Sequence, residues 1–270
     1  MNSRDLRRQV LVVIGALVAL VGSFIGSGAA GGTPIQNAAG GALAADATLI
    51  APAVPAFAIW TPIYLGLVGY AIWQCLPAQR SDPRQRLLGY PVLASLILNA
   101  AWILSIQFDQ LWLSVPVIVA LLAVLVWTFR LTLASRPKNL VETILLDGTM
   151  GLYLGWVCVA TAANVTAVLV VAGFTGFGLD PDLWAVAVIA VATVVGGLLA
   201  ISGHGRLAPA VSLAWGLGWL AVARLGGTPP SVPAGVAAIV AVVLVIALTV
   251  GARLRMAKLP VSPPTRMVIA

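Results

Sequence analysis

Residues 54–76 read VPAFAIWTPIYLGLVGYAIWQCL, a stretch with neither an acid nor a base in it. A membrane-spanning helix needs about 20 mainly apolar residues, because each adds only 1.5 Å to a path through about 30 Å of hydrocarbon. The stretch meets that length, and the same measure finds seven more along the chain, at 9–29, 87–108, 111–134, 141–172, 183–203, 207–225 and 233–254. Whole-chain composition agrees: 61% of the 270 residues are hydrophobic and 9% are charged, with a mean hydropathy of +1.05. A soluble domain carries about 25% charged residues, so a water-soluble globule is excluded. The expected fold is an all-α integral membrane protein of about eight transmembrane helices.

Turn chemistry separates the segments: Pro77 to Arg86, Asp109-Gln110, Ser135 to Lys138, Asp180-Pro181-Asp182, His204 to Arg206, and Gly226 to Pro233. Pro62, Pro91, Pro116 and Pro209 are expected to kink or start their helices, and the fifth segment is long enough to tilt or to unwind at one end. Residues 30–53 are different, rich in Gly, Ala and Pro with Asp46 as the single charge. They are too apolar for a linker and too glycine-rich for a helix, so they are expected to lie on or fold back over the bundle.

The net charge of +7 reads as topology, with no nucleic-acid partner, because the bases sit between apolar segments. Short basic loops stay cytoplasmic. Eight helices with both termini inside place Arg4, Arg7, Arg8, Arg80, Arg84, Arg86, Arg130, Arg136, Lys138, Arg206, Arg253, Arg255, Lys258 and Arg266 there, and leave only Arg224 outside. A cell (plasma) membrane is the expected location. A signal peptide, with Arg7-Arg8 before the first apolar run and small residues near Ser27-Gly28-Ala29, is the alternative for the first segment. Cys75 and Cys158 are read as buried free thiols and His204 as a solvent-facing loop residue.

Three segments carry more polarity and aromatic character than spanning needs. The second holds Phe57, Trp60, Tyr64, Tyr70, Trp73 and Gln74; the third holds Asn99 and Trp102; the fifth holds Tyr153, Trp156, Thr161 and Asn164. An asparagine amide in hydrocarbon must find partners, so Asn99 and Asn164 are expected to face other helices or a wet cavity. With alternating helix directions, the three sets fall in the same leaflet, the outer one, beneath residues 30–53. That composition suits a small-molecule site. The blander reading is interfacial belts and interhelical glue, and Trp112 and Trp184, at helix ends, fit the belt.

In order and spacing these residues resemble the tryptophan-rich sensory protein (TspO/MBR, translocator protein) family. Phe57 to Tyr64 with Gly69 and Tyr70 looks like its second-helix motif, and Asn99 with Trp102 its Asn-x-x-Trp pattern. Tyr153, Trp156, Ala160, Thr161 and Asn164 match its fifth-helix Pro-Tyr-x-x-Trp-x-x-x-Ala-Thr-x-x-Asn pattern. The resemblance implies a five-helix bundle over residues 1–172 that binds a hydrophobic aromatic ligand such as a tetrapyrrole, for sensing or transport. It also implies that Trp60, Tyr64, Asn99, Trp102, Tyr153, Trp156 and Asn164 line or brace the cavity. There are departures. Residues 30–53 lack the family's tryptophan, Leu152 stands where its proline would, and Val165-Thr166-Ala167-Val168 does not supply the tyrosine and base of a sterol pattern.

Residues 173–270 supply three further helices and a short cytoplasmic tail outside those motifs. They include Trp215 and Trp219 at i,i+4 spacing, and are read as packing against the bundle or as a homo-oligomer surface. No nucleophile elbow, phosphate-cradling loop or metal-ligand spacing is present, so no enzyme, no metal and no cofactor beyond a tetrapyrrole ligand is expected. Membrane lipid and a hydrophobic small molecule are the expected partners. A secondary transporter using Asp147 as an intramembrane acid, placed against the blander reading of Asp147 as a residue near the inner interface, and a structural membrane subunit are the alternatives.

Overall fold

The computed structural model describes residues 3–28 and 33–258; Arg266, the tail beyond residue 258 and residues 29–32 lie outside the described residues. Eight helices are long and apolar enough to cross a membrane. We number them α1 (Ser3–Gly26), α2 (Trp60–Trp73, entered through a 3₁₀ segment Val54–Ile59), α3 (Pro83–Gln107), α4 (Leu111–Ala134), α5 (Leu140–Val171), α6 (Pro181–Ser202), α7 (Leu207–Gly226) and α8 (Val232–Ala257). Local chemistry sets the starts. Asp82 accepts from the amides of Arg84 and Gln85 ahead of α3, Asn139 from that of Glu142 in α5, Asp180 from that of Asp182 in α6, and Ser231 from that of Ala234 in α8. Each is a side-chain oxygen satisfying an orphan amide of the first turn. Pro83, Pro181 and Pro233 add a preset φ at the first turn of three of them.

The first five helices close a ring: α1 packs on α2 and α3, α3 on α4, α4 on α5, and α5 returns to α2. The last three build outward, with α7 on α5, α8 on α7 and α6 on α8, while α6 only grazes α5. α1 contributes Val12, Ala16 and Ala19 to the core and is an integral wall of the ring. Its early charges are partnered: Arg86 grips Asp5 with two hydrogen bonds of 2.8 and 2.6 Å, and Arg8 donates to the carbonyls of Gln79 and Arg80.

Small residues set the closest approaches. At Gly155 of α5 a Cβ would fall on the Pro209 carbonyl oxygen and the Ser212 hydroxyl of α7. Ring and extension therefore meet backbone to backbone, as lipid-embedded helices do where small residues permit it. Gly155→Leu should force α5 and α7 apart and cost about 1–3 kcal/mol, the usual toll of overpacking. A thermal-unfolding midpoint equal to the parent's would show that the two helices are not held at this distance.

One end of the bundle is basic. Arg84 reaches Glu142 at 2.8 Å and Asp147 at 2.5 Å, and Arg206, just before α7, reaches the other Asp147 oxygen at 3.0 Å. Gln85 donates to Glu142 at 2.9 Å, Tyr70 donates to Gln85 at 3.1 Å, and Arg206 also donates to the hydroxyl and carbonyl of Thr132. Lys138 pairs with Asp82. Burial raises the Asp82 carboxyl, yet Lys138 and the amides of Gln85 and Arg84 more than offset this and hold it below its ordinary value. Its stabilising contribution is thus complete above the ordinary aspartate range and lost as pH falls through the lowered pKa.

The long α5 does depart from α-helical winding: Thr143–Gly148 is π-helical, and this turn carries Asp147. Asp147 is therefore clamped between two guanidinium groups near the basic end, where a free acid available to a transported cation is not found. Cys158 is buried as expected, but Cys75 is exposed, because it lies just past the end of α2 on the outward side.

Candidate ligand pocket

At the opposite end, residues 33–59 fold over the ring. They are compacted by a short 3₁₀ turn at Ala39–Gly41 and buried through Ile35, Ala38, Ala42, Ile50, Ala51, Ala56 and Ile59. The extension holds this cover down. Trp215 of α7 donates its indole N–H to the Ala56 carbonyl at 2.9 Å, and the Trp219 carbonyl accepts from the Ala53 amide at 3.2 Å. Arg224 donates to the Ala45 carbonyl at 2.6 Å and to the Pro229 carbonyl at 2.7 Å. Arg224 is 1% exposed and has no carboxylate within ion-pairing distance among the described residues. The one base that broke the charge pattern of the loops is thus a buried clamp on the cover.

Beneath it the expected residues converge. Trp60 of α2 is central, with its ring 5.4 Å from Tyr64, 5.8 Å from Tyr153 and 6.2 Å from Trp156, the last two edge to face. Phe57 meets Trp156 edge to face at 5.8 Å. Edge-to-face packing places positive ring edges on negative ring faces and fixes the walls against rotation. Trp60, Trp102, Trp156 and Asn164 border one small pocket of about 40 Å³, closed above by Ala42, Leu43, Thr48, Ala51 and Pro52. Tyr64, Asn99 and Tyr153 stand deeper and brace it.

Polar groups pair across four helices in three separate sets. Trp102 donates to the Asn164 carbonyl oxygen at 3.1 Å, and the Asn164 amide donates to Ser114 of α4 at 2.9 Å. Asn99 donates to the Tyr64 hydroxyl at 2.6 Å, and Tyr153 donates to the Ser95 carbonyl at 3.3 Å. Three groups are left over: the indole N–H of Trp156, the side-chain carbonyl of Asn99 and the hydroxyl of Thr48 in the cover are buried and have no hydrogen-bond partner. An unpaired polar group in an apolar interior costs free energy.

A family model for TSPO-like proteins matches residues 11–250, from within α1 to within α8, and so spans the cover and reaches all eight helices. The chain belongs to the TSPO-like family. No curated protein and no solved structure matches it. The TSPO-like match runs well beyond the second, third and fifth segments, whose motifs could be read directly, in keeping with an extension that grips both the cover and Asp147.

Several residues of this pocket and its surroundings carried little or no sequence signal. Ser114 is a single hydroxyl in the first turn of α4, and Thr48 lies in a low-complexity stretch. Trp215 and Trp219 were visible as a pair, 5.7 Å apart edge to face, but their grip on the cover was not. Trp112 is exposed as a belt residue should be. Trp184 is not a simple belt residue: it packs against Phe174 and Phe177 and donates to the Gly176 carbonyl at 2.8 Å. Among the described residues, no group of three His, Cys, Asp or Glu side chains could hold a metal ion.

Proposed function

We propose that this TSPO-like protein is a receptor for a hydrophobic aromatic ligand of the tetrapyrrole type, bound in the aromatic pocket for sensing or transport. The observation that carries the reading is the pair of buried, unpartnered groups among stacked rings: the Trp156 N–H donor and the Asn99 carbonyl acceptor. Buried polar groups are usually satisfied, and an unpartnered donor on a pocket wall, as at Trp156, is open to a ligand. Ligand pockets are usually about 300–1,000 Å³, so the 40 Å³ space describes the closed state. Binding requires the cover to lift from its Trp215 and Arg224 anchors. The test is equilibrium binding of protoporphyrin to the purified full chain, read by tryptophan fluorescence. Saturable quenching is expected; its absence across porphyrins and planar aromatic drugs overturns the reading.

We further propose that the basic end faces the cytoplasm, on the strength of the charge asymmetry across the bundle. In a Cys75→Ser background, Asn37→Cys should react with a membrane-impermeant maleimide added to intact cells, and Arg136→Cys only after permeabilisation. Both positions are exposed, Asn37 in the cover and Arg136 between α4 and α5. The reverse pattern inverts the topology.

A further inference from the structure

A larger cavity lies elsewhere. Between α5 and α6, outside the ring, lies a cleft of about 960 Å³. Thr161, Val165 and Leu169 form one wall and Trp184, Val188 and Val195 the other. It runs from Cys158 to Val170 along α5, about 18 Å at the helical rise. Not one of its lining residues is charged. Leu169, Val170 and Val191 on its rim are 43%, 51% and 64% exposed, so the cleft opens sideways onto the apolar flank of the bundle.

Thr48 of the cover closes its loop end. Its hydroxyl is buried, the residue being 7% exposed, and has no hydrogen-bond partner. The cleft therefore combines a long, uncharged, laterally open trough with one unsatisfied hydroxyl at its loop end. A dicarboxylic porphyrin is a poor match, since no cation is present to meet its charges. Left empty, the walls would forfeit dispersion contacts along their whole length.

We propose that this cleft is a second binding site, distinct from the aromatic pocket, that seats an ester-linked membrane lipid. An acyl chain runs along α5 and α6, and an ester carbonyl accepts from the Thr48 hydroxyl. The depth agrees: Thr48 sits at the end of the helices, where a bilayer changes from hydrocarbon to ester and headgroup. Because Thr48 also borders the aromatic pocket, the lipid and that pocket share the cover as a common wall. The seat does not depend on what the aromatic pocket binds.

The test uses the full chain in phosphatidylcholine vesicles doped with phosphatidylcholine bearing a diazirine on one acyl chain. After photolysis, labelled peptides are mapped by mass spectrometry. Labelling of Thr161–Leu169 and Val188–Val195 should exceed, severalfold, that of the exposed α8 stripe at Val236, Val240 and Val243. Ala162→Phe and Ala192→Phe fill the cleft from opposite walls, and either should bring labelling down to the α8 level. Thr48→Val should reduce it by about threefold, the worth of one average intramembrane hydrogen bond. Equal labelling of cleft and α8 in the parent, as annular lipid alone or a protein segment in the cleft would give, overturns the proposal whatever the variants do. Enrichment that survives both fillings in monodisperse protein overturns it too.

Discussion

Arg84→Met should destabilise the protein by about 3–5 kcal/mol, the usual cost of removing one partner from a buried ion pair. Arg84 is 5% exposed and serves two acids at once, Glu142 and Asp147, from α3 to α5. Without it, Arg206 still meets Asp147, but Glu142, 1% exposed, keeps only neutral donors on its carboxylate: the Gln85 side-chain amide and the Lys138 backbone N–H. The desolvation of Glu142 is then uncompensated. Arg84→Met/Glu142→Gln removes one charge of each sign and should recover most of the loss, since a buried pair and a neutral replacement are often close in free energy. Unfolding in mild detergent, followed by tryptophan emission, measures both. A single variant as stable as the parent, or a double variant no better than the single, would show that the network is solvated and carries little energy.

That network marks how far reading from sequence could go. Eight spans were legible because lipid leaves no alternative to long apolar helices, and the motif residues of α2, α3 and α5 were legible because polar and aromatic residues there stand out against Val, Leu and Ala. The pairing of Asp147 was not, since its partners come from residues 63 positions before it and 59 after it, and from a π-helical turn that no periodicity announces. Residues 30–53 were recognisable as unusual, yet the tightness with which they close the pocket comes from Ala42, Ala51 and Pro52, whose small size says nothing until the opposing rings are placed. Arg224 was the clearest missed clue. As the one base on the wrong side of the charge pattern it called for a structural reason, and the carbonyls of Ala45 and Pro229 provide it. The outer helices looked like packing material because their apolar residues form no pattern beyond spanning, and their role lies in a few single contacts from α7.

Trp156→Ala should weaken protoporphyrin binding by well over tenfold, the largest effect anticipated for any single change in the pocket. Trp156 forms a wall whose ring packs against both Phe57 and Trp60, and its N–H is unpartnered. Truncation removes three contributions together: the face a planar ligand would stack on, the edge-to-face support that orients Trp60, and the free donor. Aromatic pairs are worth about 0.5–1.5 kcal/mol beyond area burial, and a hydrogen bond about as much again. At the middle of these ranges two such losses come to about 2 kcal/mol, above the 1.4 kcal/mol that equals tenfold in affinity. Trp156→Phe separates them: it keeps a ring and deletes the donor, so a loss of only a few-fold is expected. Asn99→Leu, which removes the unpaired acceptor and its bond to Tyr64, should fall between a few-fold and tenfold, because intramembrane hydrogen bonds average about 0.6 kcal/mol and reach about 1.7. All three are compared as monodisperse protein, so that a fold defect is not mistaken for a lost contact. If Trp156→Ala binds as tightly as the parent, the stacked rings are core packing and the ligand, if there is one, sits elsewhere. Should Trp156→Phe lose as much as Trp156→Ala, the N–H and not the ring face anchors the ligand, and the stacking account of the pocket fails.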